Sequence, residues 1–134
     1  MKKYTAKELI AEGYKLDNAL IKNVSLSYGD YCCLVLDITL EGDGWGCVYG
    51  GYCLGNIYSN SYDKDSYEGS AAGMEVIMRI MDIVGVSCLE DMKGKYVRVA
   101  TKKWGDTVKI IGNIIKDRWF DYQSFYADKK EESK

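Results

Sequence analysis

Histidine is absent from all 134 residues. Its absence removes the commonest general base, the commonest metal ligand and every Ser-His or Cys-His nucleophile pair. Acid–base work would fall to carboxylates, so hydrolysis and phosphoester cleavage drop in expectation. Proline is absent too, while tyrosine occurs twelve times; with many Lys, Ile and Asn, this composition points to codon bias in an AT-rich genome. No C-x-x-C joins the cysteines Cys32, Cys33, Cys47, Cys53 and Cys88, so the short paired spacing of a zinc site is missing. They read as small buried hydrophobes with free thiols, which fits a reducing cytosol. No apolar run approaches the ~20 residues that cross a bilayer, and charges break up the one apolar stretch near the N-terminus, unlike a signal peptide. A positive excess is also missing: net charge is −2. Proteins that bind long nucleic acid are usually basic, so the expectation is no long nucleic acid and no membrane, with room for a local cationic pocket.

What is present suits one α+β domain over 1–126, followed by a charged tail, 127–134, expected to be disordered. The hydrophobic share of 47% is enough for a core. Thr5 and Glu8 form a capping box for a short helix ending near Gly13. Alternation from Ala19 to Tyr28, with Val24, Leu26 and Tyr28 on one face, predicts a strand. Gly29-Asp30 predicts a turn, and Leu34, Leu36, Ile38 and Leu40 mark the inner face of the next strand. EGDGWG reads as a turn into a third strand, GCVYGGYCLG, followed by a polar loop over 55–69. Ser70 to Val84 is the strongest helix, with Met74, Ile77, Met78, Met81 and Val84 as its apolar face and Gly85 as its stop. KYVRVAT, a KKWGD turn and TVKIIGNII predict a hairpin, and WFDYQSFY a last strand. The expected architecture is an antiparallel sheet of five to six strands with the helix between the third and fourth. Its uncovered face predicts a homo-oligomer.

Several residues are candidates for binding. Trp45 in the Gly-rich turn reads either as a ring packed on the sheet edge or as a base-stacking platform beside phosphate-binding amides. Gly51 and Tyr52 offer similar room against the backbone. Arg79 follows Glu75 by one helical turn, as a surface ion pair does, yet guanidinium is also the better phosphate clamp. Arg98 faces away from Val97 and Val99, toward water or the same ligand. Trp104 at a turn tip is poorly placed for its own core. Asn113 is a polar side chain among Ile111, Ile114 and Ile115, suited to a sheet bond or to a base edge. Asp37 and Glu41 share a strand face, which solvent alone explains, so no carboxylate pair stands out as catalytic.

GGYCLG at 50–55, GMEVIMRIMDIVGV at 73–86, GKYVRV at 94–99 and IGNIIKDRWF at 111–120 resemble a family of small phage proteins, the first class of Thoeris anti-defence proteins. The resemblance runs from about Ile21 to Phe120. It implies an oligomeric sponge, dimer or larger up to a hexamer, in the host cytoplasm. Such a sponge binds a cyclic ADP-ribose isomer and holds it without degrading it, with no cofactor and no metal. It also implies that Arg79, Trp104 and Asn113 occupy ligand-binding positions. Relatives often carry Phe where Trp104 stands, and the hairpin here has extra residues. Two other readings compete. One is a phage inhibitor that caps a host enzyme with an acidic surface; the other is a nucleotide enzyme working through carboxylates.

Overall fold

The computed structural model describes residues 1–29, 33–60 and 63–132. Their order is α1 (Ala6–Ala11), β1 (Lys15–Tyr28), β2 (Cys33–Gly42), β3 (Trp45–Asn60), β4 (Asp63–Gly69), α2 (Ala71–Val84), a 3-10 turn (Leu89–Met92), β5 (Tyr96–Thr101), β6 (Ile110–Asn113), β7 (Trp119–Asp121) and α3 (Tyr122–Glu132). The α+β class and the antiparallel sheet are as expected. Among the described residues the sheet has seven strands, in the order β4-β3-β2-β1-β5-β6-β7. The extra strand comes from the stretch expected to be a loop: β3 runs on to Asn60 and β4 pairs back along it, Gly55 with Gly69 and Ile57 with Tyr67. α2 therefore lies between the fourth and fifth strands. The expected turn at Gly29-Asp30 falls partly outside the described residues, as does Cys32.

β1 is shared by two half-sheets. Lys15 to Leu20 pair with Thr101 to Tyr96 of β5, whereas Leu20 to Tyr28 pair with Glu41 to Leu34 of β2. The two registers meet only at Leu20. Beside β1 the strand β2 stops at that point, because Gly42 turns the chain back through Asp43-Gly44 into Trp45. Asp-Gly is a favoured two-residue hairpin sequence.

α2 packs on one face of the sheet. Ser70 caps it by accepting the Gly73 N–H at 3.0 Å, and Gly85 ends it in the left-handed conformation. The limits match the sequence reading, and of its expected apolar face Ile77, Met81 and Val84 pack against the core while Met74 and Met78 do not. Gly73, Val76, Ile80 and Ile83 are buried, whereas Met74 and Met78 are 59% and 64% exposed. Branched Val and Ile side chains fill the space above Leu36, Ile38, Ala19, Ile21, Val97 and Val99, each contributing about 1.5–3 kcal/mol by burial. The opposite face is covered over the β5–β7 half by α1, where Leu9, Ala100, Ile110 and Trp119 form a second cluster. Thr5 caps α1 as expected, its Oγ1 accepting the Glu8 N–H at 3.1 Å, while the Glu8 carboxylate accepts from the Thr5 hydroxyl rather than from its backbone N–H.

Three other expectations are corrected. Only Trp119–Asp121 of WFDYQSFY is strand. Asp121 then accepts the N–H groups of Gln123 and Ser124 at 3.1 and 3.2 Å, which starts α3 and carries residues 127–132 as helix. In β1, by contrast, Val24, Leu26 and Tyr28 share one face as expected, with Leu26 and Tyr28 exposed on it. Cys33 and Cys53 are not separate thiols: they form a disulfide across β2 and β3, with Cα atoms 5.8 Å apart, within the range a disulfide spans. Cys47 and Cys88 are free.

α3 docks through tyrosines. Tyr122 lies 5.4 Å from Tyr49 and 5.6 Å from Tyr52, and Tyr126 lies 5.7 Å from Tyr52, between ring centroids. The hydroxyls of Tyr49, Tyr52 and Tyr126 are buried without a hydrogen-bond partner among the described residues. Burial, followed by the charge of neighbouring phenols, raises the Tyr49 and Tyr52 phenols above the usual value. Burial, then Asp121, pushes Tyr4 up to about 12.

Raised phenols fix the sign of an alkaline effect. The unfolded chain releases the protons of these raised phenols near pH 10 while the folded chain keeps them, so stability falls as pH rises past that point. The urea midpoint is expected to show no tyrosine-linked loss below about pH 9.5 and to fall between about pH 10 and 12. Each such phenol contributes a slope of up to about 1.4 kcal/mol per pH unit. Tyr49→Phe should flatten the fall. A midpoint held constant to pH 12 would contradict the buried cluster.

Candidate functional site

One end of the sheet gathers the start of β1, the β2–β3 turn and the loop from β5 to β6. Between them lies an open cavity of about 330 Å³, within the usual size range of small-ligand sites. Trp45 and Trp104 both line it. Two turns, 59 residues apart in the chain, are brought together because β1 separates β2 from β5 by a single strand.

Each indole is held by its own turn. Trp45 is half-buried and lies across its hairpin, where a Cβ on Gly42 would overlap the ring; glycine at 42 makes room for it. Trp104 is 87% exposed. Its turn is closed by Asp106, whose carboxylate accepts the Lys103 N–H at 2.9 Å and whose own N–H donates to the Lys103 carbonyl at 3.1 Å. The indole therefore stands out from an anchored base rather than from a loose loop.

The cavity is edged by charge. Lys15 and Asp17 come from β1, on the parity that continues inward to buried Ala19 and Ile21. Lys102 and Lys103 come from the loop. The Lys102 ammonium sits 5.0 Å over the Tyr14 ring, a cation–π contact, so Lys15 and Lys103 are the cations left to a ligand. Val99 and Val108 form the apolar wall and Cys47 borders it; burial raises the Cys47 thiol, keeping it neutral. An aromatic pair with two ammonium groups at its edge suits a flat ring carrying phosphate.

The other sequence candidates are elsewhere. Arg79 donates to Glu75 at 2.8 Å and lies 5.6 Å over Phe125; Lys129 meets the same Glu75 at 3.6 Å. This group joins α2 to α3, and the Arg79 hydrogen bond lowers the Glu75 carboxyl. Arg98 stacks 4.6 Å over Trp119 and donates to the carbonyls of Asn113 and Lys116 at 2.8 and 2.9 Å. Asn113 donates to the Ile83 carbonyl at 2.8 Å and accepts the N–H groups of Ile115 and Lys116 at 2.9 and 2.8 Å. It thus satisfies a late carbonyl of α2 and shapes the turn into β7. Gly51 and Gly50 form an irregularity in the β2–β3 pairing, where a Cβ on Gly50 would overlap the Leu36 carbonyl. Tyr52 belongs to the tyrosine cluster. The structure brings Trp45 and Trp104 together and places Arg79, Arg98, Asn113, Gly51 and Tyr52 outside their cavity.

Lys15, Asp17 and Lys103 were not candidates. A strand read as starting at Ala19 hides the first two. Their signal is the i, i+2 step that puts two charges in line with core residues Ala19 and Ile21.

These placements predict which variants act on stability. Asn113→Ala should cost about 2 kcal/mol or more, because it leaves backbone groups unpaired. Arg79→Ala should cost less than about 1 kcal/mol, as exposed ion pairs do. In urea denaturation and ligand calorimetry, neither should alter affinity by more than about twofold beyond the unfolded fraction. Lost binding in folded Arg79→Ala would move the site to α2. Comparison with protein-family models, with curated proteins and with solved structures returns no match.

Proposed function

We propose that the protein is a phage anti-defence sponge that binds a cyclic ADP-ribose isomer between Trp45 and Trp104 and keeps it from the Thoeris immune system without degrading it. The observation that supports this most is two indoles, from distant parts of the chain, sharing one cavity with Lys15 and Lys103 at its edge. Stacking is worth about 1–3 kcal/mol per base and a charge-assisted contact about 1.5–3. Two stacks and two such contacts reach about 5–12 kcal/mol before the cost of ordering is subtracted, so nanomolar binding is the upper limit of what they supply.

The resemblance at 50–55, 73–86, 94–99 and 111–120 favours this class of ligand, and the cavity lined by Trp45 and Trp104 supports a site for it. A second copy belongs to the same proposal: Leu26, Tyr28, Tyr67 and Met74 border an apolar groove and are exposed in the single chain. No helix among the described residues is long and apolar enough to cross a membrane.

Calorimetry with a panel of cyclic ADP-ribose isomers, followed by heating of the complex, tests the proposal. One isomer should bind and be recovered chemically unchanged after denaturation. Trp104→Ala should weaken it at least tenfold, as expected for loss of one stack. Recovery of opened or hydrolysed product would make the protein an enzyme, and a panel without any binder would end the sponge reading.

A further inference from the structure

Asp17 is out of keeping with an anion site. Its residue is half-buried and lines the cavity beside Lys15. The other acid there, Asp106, is committed to the Lys103 turn. The Asp17 side chain has no hydrogen bond or ion pair among the described residues, although its backbone pairs with Val99 in the sheet. A carboxylate so placed repels the phosphates that the lysines attract, and it accepts hydrogen bonds without donating any. The part of a nucleotide that fits such a group is a ribose: its vicinal hydroxyls are two adjacent O–H donors for two carboxylate oxygens. Acidic residues read ribose hydroxyls in the same way in dinucleotide-binding folds.

We infer that Asp17 is the ribose-reading residue of this cavity, accepting the vicinal hydroxyls of a ribose in the ligand, and that it sets selectivity for ribose over deoxyribose. The inference rests on the nucleotide reading above. It divides the cavity by chemistry: indoles for the base, Lys15 and Lys103 for phosphate, and Asp17 for the sugar. A site selected only for anions gains nothing from the acid. A site that must hold one ribonucleotide and ignore inorganic phosphates gains twice, from the diol bonds and from repulsion of anions that bring no sugar.

The test is calorimetry of the full chain with the cyclic ADP-ribose isomer that binds, its monodeoxy analogues (one free ribose hydroxyl removed from either ribose), its hypoxanthine analogue and pyrophosphate. It compares the unaltered protein with Asp17→Ala and Asp17→Asn, each checked by thermal melting. The unaltered protein should bind one deoxy analogue about tenfold or more weakly than the parent, the size of a lost bond to a charged acceptor. Asp17→Ala should weaken the parent by a similar factor and bind parent and that analogue alike. Pyrophosphate should bind both variants at least as well as the unaltered protein.

Equal binding of parent and both deoxy analogues by the unaltered protein overturns the assignment, as does discrimination that survives in folded Asp17→Ala. So does an Asp17 effect that disappears with the hypoxanthine analogue, which would make the base amine its partner. If the unaltered protein binds no isomer of cyclic ADP-ribose, the nucleotide reading falls and this inference with it. If it binds without ribose discrimination, only the role of Asp17 falls.

Discussion

The pairing of β1 with two partners in succession is the constraint on which the structure turns. Its first six residues belong to β5 and the rest to β2, with Leu20 common to both. Had β2 continued alongside Asp17 and Lys15, the β2–β3 turn would have been carried past the β5–β6 loop and the space between them filled by strand. The early turn at Gly42 leaves that flank of β1 without a strand partner, and the cavity occupies it. The registers are held by hydrophobic parity. Ala19 and Ile21 face the same core as Leu36, Ile38, Val97 and Val99, and a one-residue slip on either side would turn those side chains outward.

The charge of the chain and the charge of the site differ in sign for a simple reason. Net charge is −2, but screening confines exposed charges to roughly 8–10 Å, so a phosphate at the cavity meets Lys15 and Lys103 before it meets the acidic remainder. The arginines take no part in this. Arg98 is used up by two carbonyls and a tryptophan face, and Arg118 pairs with Asp82. The planar, fork-shaped cations secure loops and helices, while flexible ammonium groups are left around the cavity.

Much of the fold is legible where local chemistry decides it. Thr5 with Glu8, Ser70 and Gly85 mark helix ends; Asp43-Gly44 marks a hairpin; the alternation of Leu34 to Leu40 marks a buried face. The unread parts are those that only tertiary contact decides. β4 is polar because it is the edge strand of the sheet, and charge is what keeps such an edge from pairing further. On α2, Met74 and Met78 satisfy a helical period as well as Val76 and Ile80 do; the sheet beneath selects the branched residues. The disulfide of Cys33 and Cys53 depends on an irregular β2–β3 register that spacing does not reveal. Of the site, the two tryptophans were legible from their turns alone. Arg98 and Asn113 were not separable from ligand-binding residues, because a polar side chain in an apolar run looks the same whether it meets a backbone group or a base.

Three indole N–H groups give the account a direct reading by nuclear magnetic resonance. Trp119 donates its indole N–H to Asp117 at 2.7 Å, away from the cavity, whereas Trp45 and Trp104 line it. When a cyclic ADP-ribose isomer that binds is titrated in, the Trp45 and Trp104 signals should move together along one binding curve while the Trp119 signal stays in place. Movement of only one of the pair, or of Trp119 with neither, would contradict a ligand held between two tryptophan-bearing turns.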